Sequence, residues 1–366
     1  MPDMALIIEV VLMFVKGIII CQILFILPIP LTWVERKVAG HIQARLGPWR
    51  VGPHGVLQPF ADMIKLLLKE DIMPAQADKL LFKLAPLMAM IPVFAVFAAI
   101  PFGESFRLPF LDREITLYLT DMNVGILYVL AIGGLGIYGV IFGGWASNSK
   151  YALLGGLRSS AQMISYEVAL SFAAIGVVMM SNSLSLVQIV KAQSGWFFNW
   201  NIFYLPVGPV WFVIFLIAAM AEINRIPFDL PEDEGTLAAG FHTEYSGMRF
   251  AFFMLAEYVA MVSVSVLAVI MFFGGWNPPI DLMRLEYYDP MQLKYISGLP
   301  IPAIIWTFTS LFCFVAKVAA FIYFFMWLRF TLPRYRYDQL MTIGWKILIP
   351  ASLVTLIVTG FMRIWA

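Results

Sequence analysis

Five ionisable side chains stand inside long apolar runs of this chain: Lys16, Glu167, Glu222, Glu257 and Lys317. A charge at the centre of a membrane helix costs about 2.5–3.5 kcal/mol on insertion scales, so those that are kept usually line a pathway or meet a partner. Glu167 is the most informative. Ser160, Glu167 and Ser171 recur at i, i+7 and i+11 and share one helical face. A carboxyl with hydroxyl neighbours in an apolar wall suits proton uptake and release near neutrality. The same trio could also serve as hydrogen-bonded glue between helices. Lys16 and Lys317 fit a relay or a fixed counter-charge equally well, because a lysine can snorkel.

A second constellation is the segment from Glu222 to Arg249. Glu222, Asp229, Glu232, Asp233, Glu234 and Glu244 face two arginines there, a formal excess of four negative charges. Clustered carboxylates repel one another and favour shared protons. Such a cluster could bind a cation, dock a basic partner, accept protons, or lie solvated as an acidic loop. Pro227, Pro231, Phe228, Phe241 and Tyr245 favour a packed loop.

The elements that hold these residues follow from composition. Of 366 residues, 61% are hydrophobic and 13% charged, against roughly 25% charged in an average soluble chain. The solvent of most of this surface is lipid. With about 20 apolar residues needed per crossing, spans are predicted near Leu6–Trp33, Leu84–Ile100, Val124–Trp145, Ala161–Met180, Pro209–Ala221, Phe250–Phe273, Pro302–Trp327 and Ile343–Trp365. Between the first two, Leu57, Phe60, Ala61, Ile64, Leu67 and Leu68 recur at helical spacing opposite Asp62, Lys65 and Lys69, which predicts an amphipathic helix at the interface. The expected fold is an all-α polytopic membrane protein. It forms one integral membrane domain over residues 1–366, with loops at about 34–83, 146–160, 222–249 and 329–342 on one side.

Lys and Arg set the orientation. Sixteen of them fall on that set of loops and six on the other, which predicts cytoplasmic loops and both termini outside. The formal net charge of +1 points to no nucleic acid. Cys21 and Cys313 alone cannot supply the four thiolates of an iron–sulfur cluster. His41, His54 and His242 have no metal-ligand spacing, and no dinucleotide or phosphate-loop pattern occurs. No metal and no complete catalytic centre is therefore expected on this chain alone, and any redox group would belong to a partner.

Four polar segments, in order, resemble the cytoplasmic loops of a known family, that of the quinone-chamber membrane subunit of NADH-quinone oxidoreductase (respiratory complex I). They are ERKVAGHIQARLGPWRVGPHGVLQPFADMIKLLLKE (35–70), SNSKYALLGGLRSSAQMISYEV (147–168), RIPFDLPEDEGTLAAGFHTEYSGMRFAFFMLAEY (225–258) and LRFTLPRYRYDQLMTIGWK (328–346). The resemblance implies a position where the membrane arm meets the peripheral arm. It implies a chamber through which quinone, the substrate, arrives from the bilayer, with lipid around the chain. FMN and iron–sulfur clusters would sit in partner subunits, and the quinone site would be completed by peripheral subunits. Carried over by position, Glu35, Arg36, Arg45, Asp62 and Phe228 line the chamber. Glu222, Asp229, Glu232 and Glu234 form its acidic loop, and Glu167 and Glu257 continue a polar route towards antiporter-like subunits.

One departure concerns Pro231–Leu237. The family pattern is P-E-A-E-x-E-L and this chain reads PEDEGTL, so Thr236 replaces an acid and Asp233 adds one. Asp233 thereby becomes a substitute proton-coupling residue. Related membrane subunits of ferredoxin- or deazaflavin-driven quinone reductases and of energy-converting hydrogenases share these features in part. A stand-alone ion transporter fits less well, because no repeat or pair of broken helices is visible.

Overall fold

In hydrocarbon each crossing segment must satisfy its own backbone hydrogen bonds, so apolar runs of this length become helices. A computed structural model describes residues 4–103, 106–107, 114–229, 239–279, 286–289, 294–297 and 303–365. It is all-α apart from two short antiparallel ribbons, Phe106–Arg107 with Glu114–Ile115 and Glu286–Asp289 with Lys294–Ser297. Among the described residues, seven helical stretches are long and apolar enough to cross a bilayer, and a shorter apolar helix, Val207–Glu222, makes the eighth. This is the polytopic architecture that composition predicts.

The chain begins with a helical rod made of α1 (Met4–Ile26) and α2 (Pro28–Ile42). Pro28 and Pro30 have no N–H to offer the preceding turn, which loosens the rod there without ending it. Leu27 keeps helical angles, and its N–H still donates to the Ile23 carbonyl at 2.8 Å. Hydropathy predicts a span ending at Trp33, yet the helix persists to Ile42 and carries Glu35 and Arg36. Apolarity marks where lipid ends, whereas the helix ends where its backbone turns. Ala44 adopts a left-handed φ of 52°, and the Arg45 N–H bonds back to the Gly40 carbonyl at 2.8 Å. The segment 146–160 is likewise mostly helical, since α6 starts at Lys150.

The amphipathic segment forms α3 (Gln58–Leu68), which leaves Phe60, Ile64, Leu67 and Leu68 exposed. The centre of the molecule is built from α4 (Lys79–Val96), α5 (Gly125–Ala146), α6 (Lys150–Ser181), α8 (Val207–Glu222) and α9 (Gly247–Phe272), with the short α7 (Leu186–Ala192) between α6 and α8. Helices α4 and α5 come into backbone contact because Gly139 has no side chain; a Cβ there would lie 2.6 Å from the Ala89 Cα. The C-terminal part of α9 is buried residue after residue, Val264 to Phe272 included. Helix α10 (Ala303–Thr331) and the C-terminal segment close the bundle. The latter runs through α11 (Tyr337–Thr342), a π-turn (Ile343–Leu348) and α12 (Ile349–Trp365). Tyr166 of α6 donates to the Leu340 carbonyl at 2.9 Å, and the Trp211 indole of α8 donates to Thr359 at 3.0 Å.

The far end of α9 shows what Lys317 does. A helix terminus leaves its last carbonyls without partners. Gln193 donates to Ile270 O at 2.9 Å and Asn201 to Met271 O at 2.7 Å. The Lys317 ammonium then takes Phe273 O at 2.8 Å, Gly275 O at 3.1 Å and Asn277 O at 2.6 Å. It also sits 4.3 Å from the centre of the Trp200 ring. Lys317 is thus a charged cap on the negative end of a buried helix. Lys16 donates to Thr116 Oγ1 at 2.9 Å. Replacing Lys317 with methionine keeps the length of the side chain and removes its donors. The expected cost is about 2 kcal/mol, the size of a hydrogen bond to a charged group. A lower midpoint of thermal inactivation of the assembled complex, with turnover below that midpoint preserved, is the result that checks it.

Candidate functional site

Helix α8 has 16 residues, so at about 1.5 Å per residue it covers ~24 Å of a ~30 Å hydrocarbon core. The backbone beyond its end must therefore be shielded by protein. Gln162, fully buried on α6, does part of this work. Its amide nitrogen donates to Ala221 O at 2.8 Å, Asn224 Oδ1 at 3.2 Å and Phe228 O at 2.7 Å. Together with the left-handed Asn224 (φ 51°), this clamp turns the chain sharply and aims Arg225 into the bundle.

Arg225 is only 2% exposed, and an isolated buried charge costs several kcal/mol after relaxation. It is matched from two helices. Nη1 lies 2.9 Å from Glu35 Oε2 of α2, and Nε lies 2.6 Å from Glu257 Oε1 of α9. The second contact is an ion pair whose N–H does not point along it. Tyr258 donates its hydroxyl to Glu35 Oε2 at 2.9 Å and lays its ring 4.7 Å from the guanidinium carbon. Arg329 of α10 closes on the other Glu35 oxygen. Two acids and two guanidinium groups from four parts of the chain thus form a charge-balanced knot. Burial works against the charge on Arg225, but Glu257 and Glu35 hold it above the ordinary arginine range, so it remains a cation.

Glu257 also borders a cavity of about 120 Å³ between α4, α5, α9 and the end of α8. Glu222, Asn224 and His242 border it as well. Glu222 Oε2 is shielded and has no hydrogen-bond partner among the described residues. Across the cavity wall, the adjacent glycines of α5 make room for two acids. A Cβ at Gly133 would lie 3.8 Å from Glu222 Oε1, and one at Gly134 would lie 3.1 Å from Glu167 Cδ. Glu222 thus lies within electrostatic reach of Glu167. Glu35, Arg225 and Glu257 are joined by ion pairs, Glu257 and Glu222 border one cavity, and Glu222 and Glu167 lie against adjacent glycines of α5, which makes a succession of ionisable groups through an apolar bundle. Ser160, expected beside Glu167, spends its hydroxyl on its own helix at Leu157 O.

Arg36 points away from this route. Its Nη1 pairs with Asp62 Oδ2 of α3 at 2.5 Å, and Gln58 supports the same carboxylate at 3.1 Å. Arg36, Arg45 and Gln58 border an open cleft of about 480 Å³. Phe228 does not reach that cleft. It is buried between Tyr166 and Tyr335, each with a ring centre 5.6 Å away, and Asp229 next to it pairs with Arg334 at 3.2 Å. These contacts pin the loop after α8 to the loop after α10. Glu232, Asp233 and Glu234 lie outside the described residues.

The chain matches the family described as NADH dehydrogenase over residues 15–360. It is 56% identical over 357 residues to an NADH-quinone oxidoreductase H subunit of Rhizobium meliloti (strain 1021), covering 98% of this chain and 99% of that one. It is 55% identical to an H subunit of Rhizobium etli over 98% of this chain and 96% of that one. With an H subunit of Solibacter usitatus the identity is 44% over 96% of each. The chain belongs to the family of NADH-quinone oxidoreductase H subunits. It is thus a membrane component of a multi-subunit oxidoreductase, as the four loop segments predict.

The acids of the route are visible in the sequence of this family member, but their partners are not. In the sequence Arg225 and Arg329 are only positive charges of the loops, and Tyr258, Gln162 and the Gly133–Gly134 pair carry no local signal of their roles. A signal for Arg225 did exist, because an arginine three residues beyond a membrane acid cannot stay unpaired. Nothing local identifies Arg329, which is 294 residues from Glu35.

Proposed function

We propose that this protein walls a quinone-access chamber and couples quinone reduction to proton translocation through its buried carboxylates. The observation that carries the reading is the succession from Glu35 to Glu167 through Arg225, Glu257, the cavity and Glu222. Ion pairs at one end and a partnerless carboxylate oxygen at the other suit a route along which protonation can change. Charge drawn into the chamber would be felt first at Glu35, in the knot, and passed on by electrostatic coupling. Each shift of one pKa unit corresponds to ~1.4 kcal/mol of such coupling.

Glu35, Arg36, Arg45, Asp62 and Phe228 are assigned to the chamber, and Glu167, Glu222, Asp229, Glu232, Asp233, Glu234 and Glu257 to proton coupling. In this reading Phe228 acts from behind, by fixing the loop. The partners are the peripheral subunits that complete the quinone site and the antiporter-like membrane subunits. FMN and iron–sulfur clusters are assigned to partner subunits, and two cysteines are too few to supply the four thiolates of a cluster. The cell inner membrane is the proposed location, with both termini outside.

Exchanging Glu232 and Glu234 together for glutamine tests the acidic loop. The expected result is a quinone-reductase rate lowered about tenfold or more in a complex that still assembles. Unchanged turnover and pumping would remove that loop from the route.

A further inference from the structure

His242 sits in the turn Gly240–His242 just before α9 and is 8% exposed. Phe241, Phe253 and Phe250 surround its ring, with centroids 3.8, 5.2 and 5.7 Å away. Among the described residues its ring nitrogens have no hydrogen-bond partner. Such a cage alone is the ordinary packing of a core aromatic. What sets His242 apart is that it also borders the cavity shared by Glu222 and Glu257.

Buried polar groups are satisfied by protein or by ordered water. Glu222 Oε2, which has no hydrogen-bond partner among the described residues, and the His242 ring border one space of about 120 Å³. That space has room for several waters, and a water needs two to four polar partners. Its remaining lining is mainly apolar, with residues such as Val93, Val140, Met163 and Ala260. Its polar members are Glu222, Asn224, His242, Glu257 and Ser263, and removing the His242 ring takes away one of the few partners such waters can use.

We propose that His242 holds, by hydrogen bonding, the water chain that joins Glu222 to Glu257 across this cavity. The inference rests on the proton route of the preceding section. Burial pushes the imidazole down to about 3, so it stays neutral, with one donor and one acceptor nitrogen. It accordingly orients water and stores no proton. Transfer runs through the chain: Glu257 or Glu222 gives a proton to the nearest water, each water hands one on, and the opposite carboxylate takes one up. No net charge stays on the ring. Glu222 and Glu257 are the titratable groups that share the space, with Arg225 behind Glu257.

The test compares His242→Phe with His242→Asn in the assembled complex. Phenylalanine fits the aromatic cage and offers no hydrogen bond, whereas asparagine keeps a donor and an acceptor. Quinone-reductase rate and proton pumping are expected to fall about tenfold or more in H242F. NADH oxidation by an artificial acceptor and the amount of complex are expected to hold, and H242N is expected to restore coupling. Wild-type coupling in H242F overturns the proposal. Equal loss in both variants also overturns it, because the imidazole itself would then be required. Should H242F fail to assemble, His242→Leu against H242N makes the same comparison. Glu222→Gln and Glu257→Gln run alongside: if both keep coupling, the route itself falls; if they lose coupling while H242F keeps it, only the role of His242 falls.

Discussion

Replacing Arg225 with glutamine is expected to deplete the membrane of assembled complex. The guanidinium is the meeting point of Glu35 and Glu257, and glutamine would leave two carboxylates facing each other in a low dielectric. Arg329 would still hold Glu35, but among the described residues Glu257 has no other ion-pair partner. Breaking a buried pair by removing one member costs about 3–5 kcal/mol, a large share of the ~5–15 kcal/mol that holds a domain together. Native electrophoresis and the thermal midpoint of the complex would report it. Arg225→Lys should land between, since one ammonium cannot reach both acids as Nη1 and Nε do. Adding Glu257→Gln to Arg225→Gln should recover part of the assembly, because the uncompensated charge goes with the acid. A single R225Q complex that assembles and turns over normally would show that the knot contributes neither stability nor coupling.

Glu222→Gln is expected to have the largest effect on activity with the least on structure. Glutamine has the same shape, and among the described residues Glu222 Oε2 has no hydrogen-bond partner whose loss would be felt. Assembly should therefore persist. Coupled quinone reduction and pumping should fall together by about tenfold at least, at or below the ~10²–10⁴-fold contribution of a positioned proton-transfer group. Glu222→Asp, one methylene shorter, should retain part of the rate. Quinone-reductase assays with and without an uncoupler, beside acidification of the proteoliposome lumen, separate the two quantities. Full pumping in E222Q would take Glu222 off the route and leave the cavity a mere packing fault.

The polar residues of the bundle do three kinds of work. Lys317, Gln193, Asn201 and Gln162 satisfy helix ends and corners that hydrocarbon leaves without water. Arg225, Arg329, Glu35 and Glu257 tie four parts of the chain together by charge. Glu222 and His242 keep hydrogen-bonding capacity unspent, and they face the same cavity. In the proposed route, this shared space is where water would be held between Glu222 and Glu257.

The number of crossings, the amphipathic α3 and the presence of acids on α6, α8 and α9 were legible in the sequence. They follow from length, period and the cost of charge in lipid, which each segment settles by itself. Family membership was legible for a similar reason: the loop strings are local. Which acid meets which base was decided by the fold. Glu35 and Arg36 are neighbours on α2, yet one turns to Arg225 and the other to Asp62. That choice depends on how α2 is rotated against α3, α9 and α10. The same holds for Phe228, whose place between Tyr166 and Tyr335 needs three distant segments at once. Rotation and close approach are set by packing over the whole bundle, as where Gly139 meets Ala89 or Gly134 admits Glu167. Hydropathy carries no record of them.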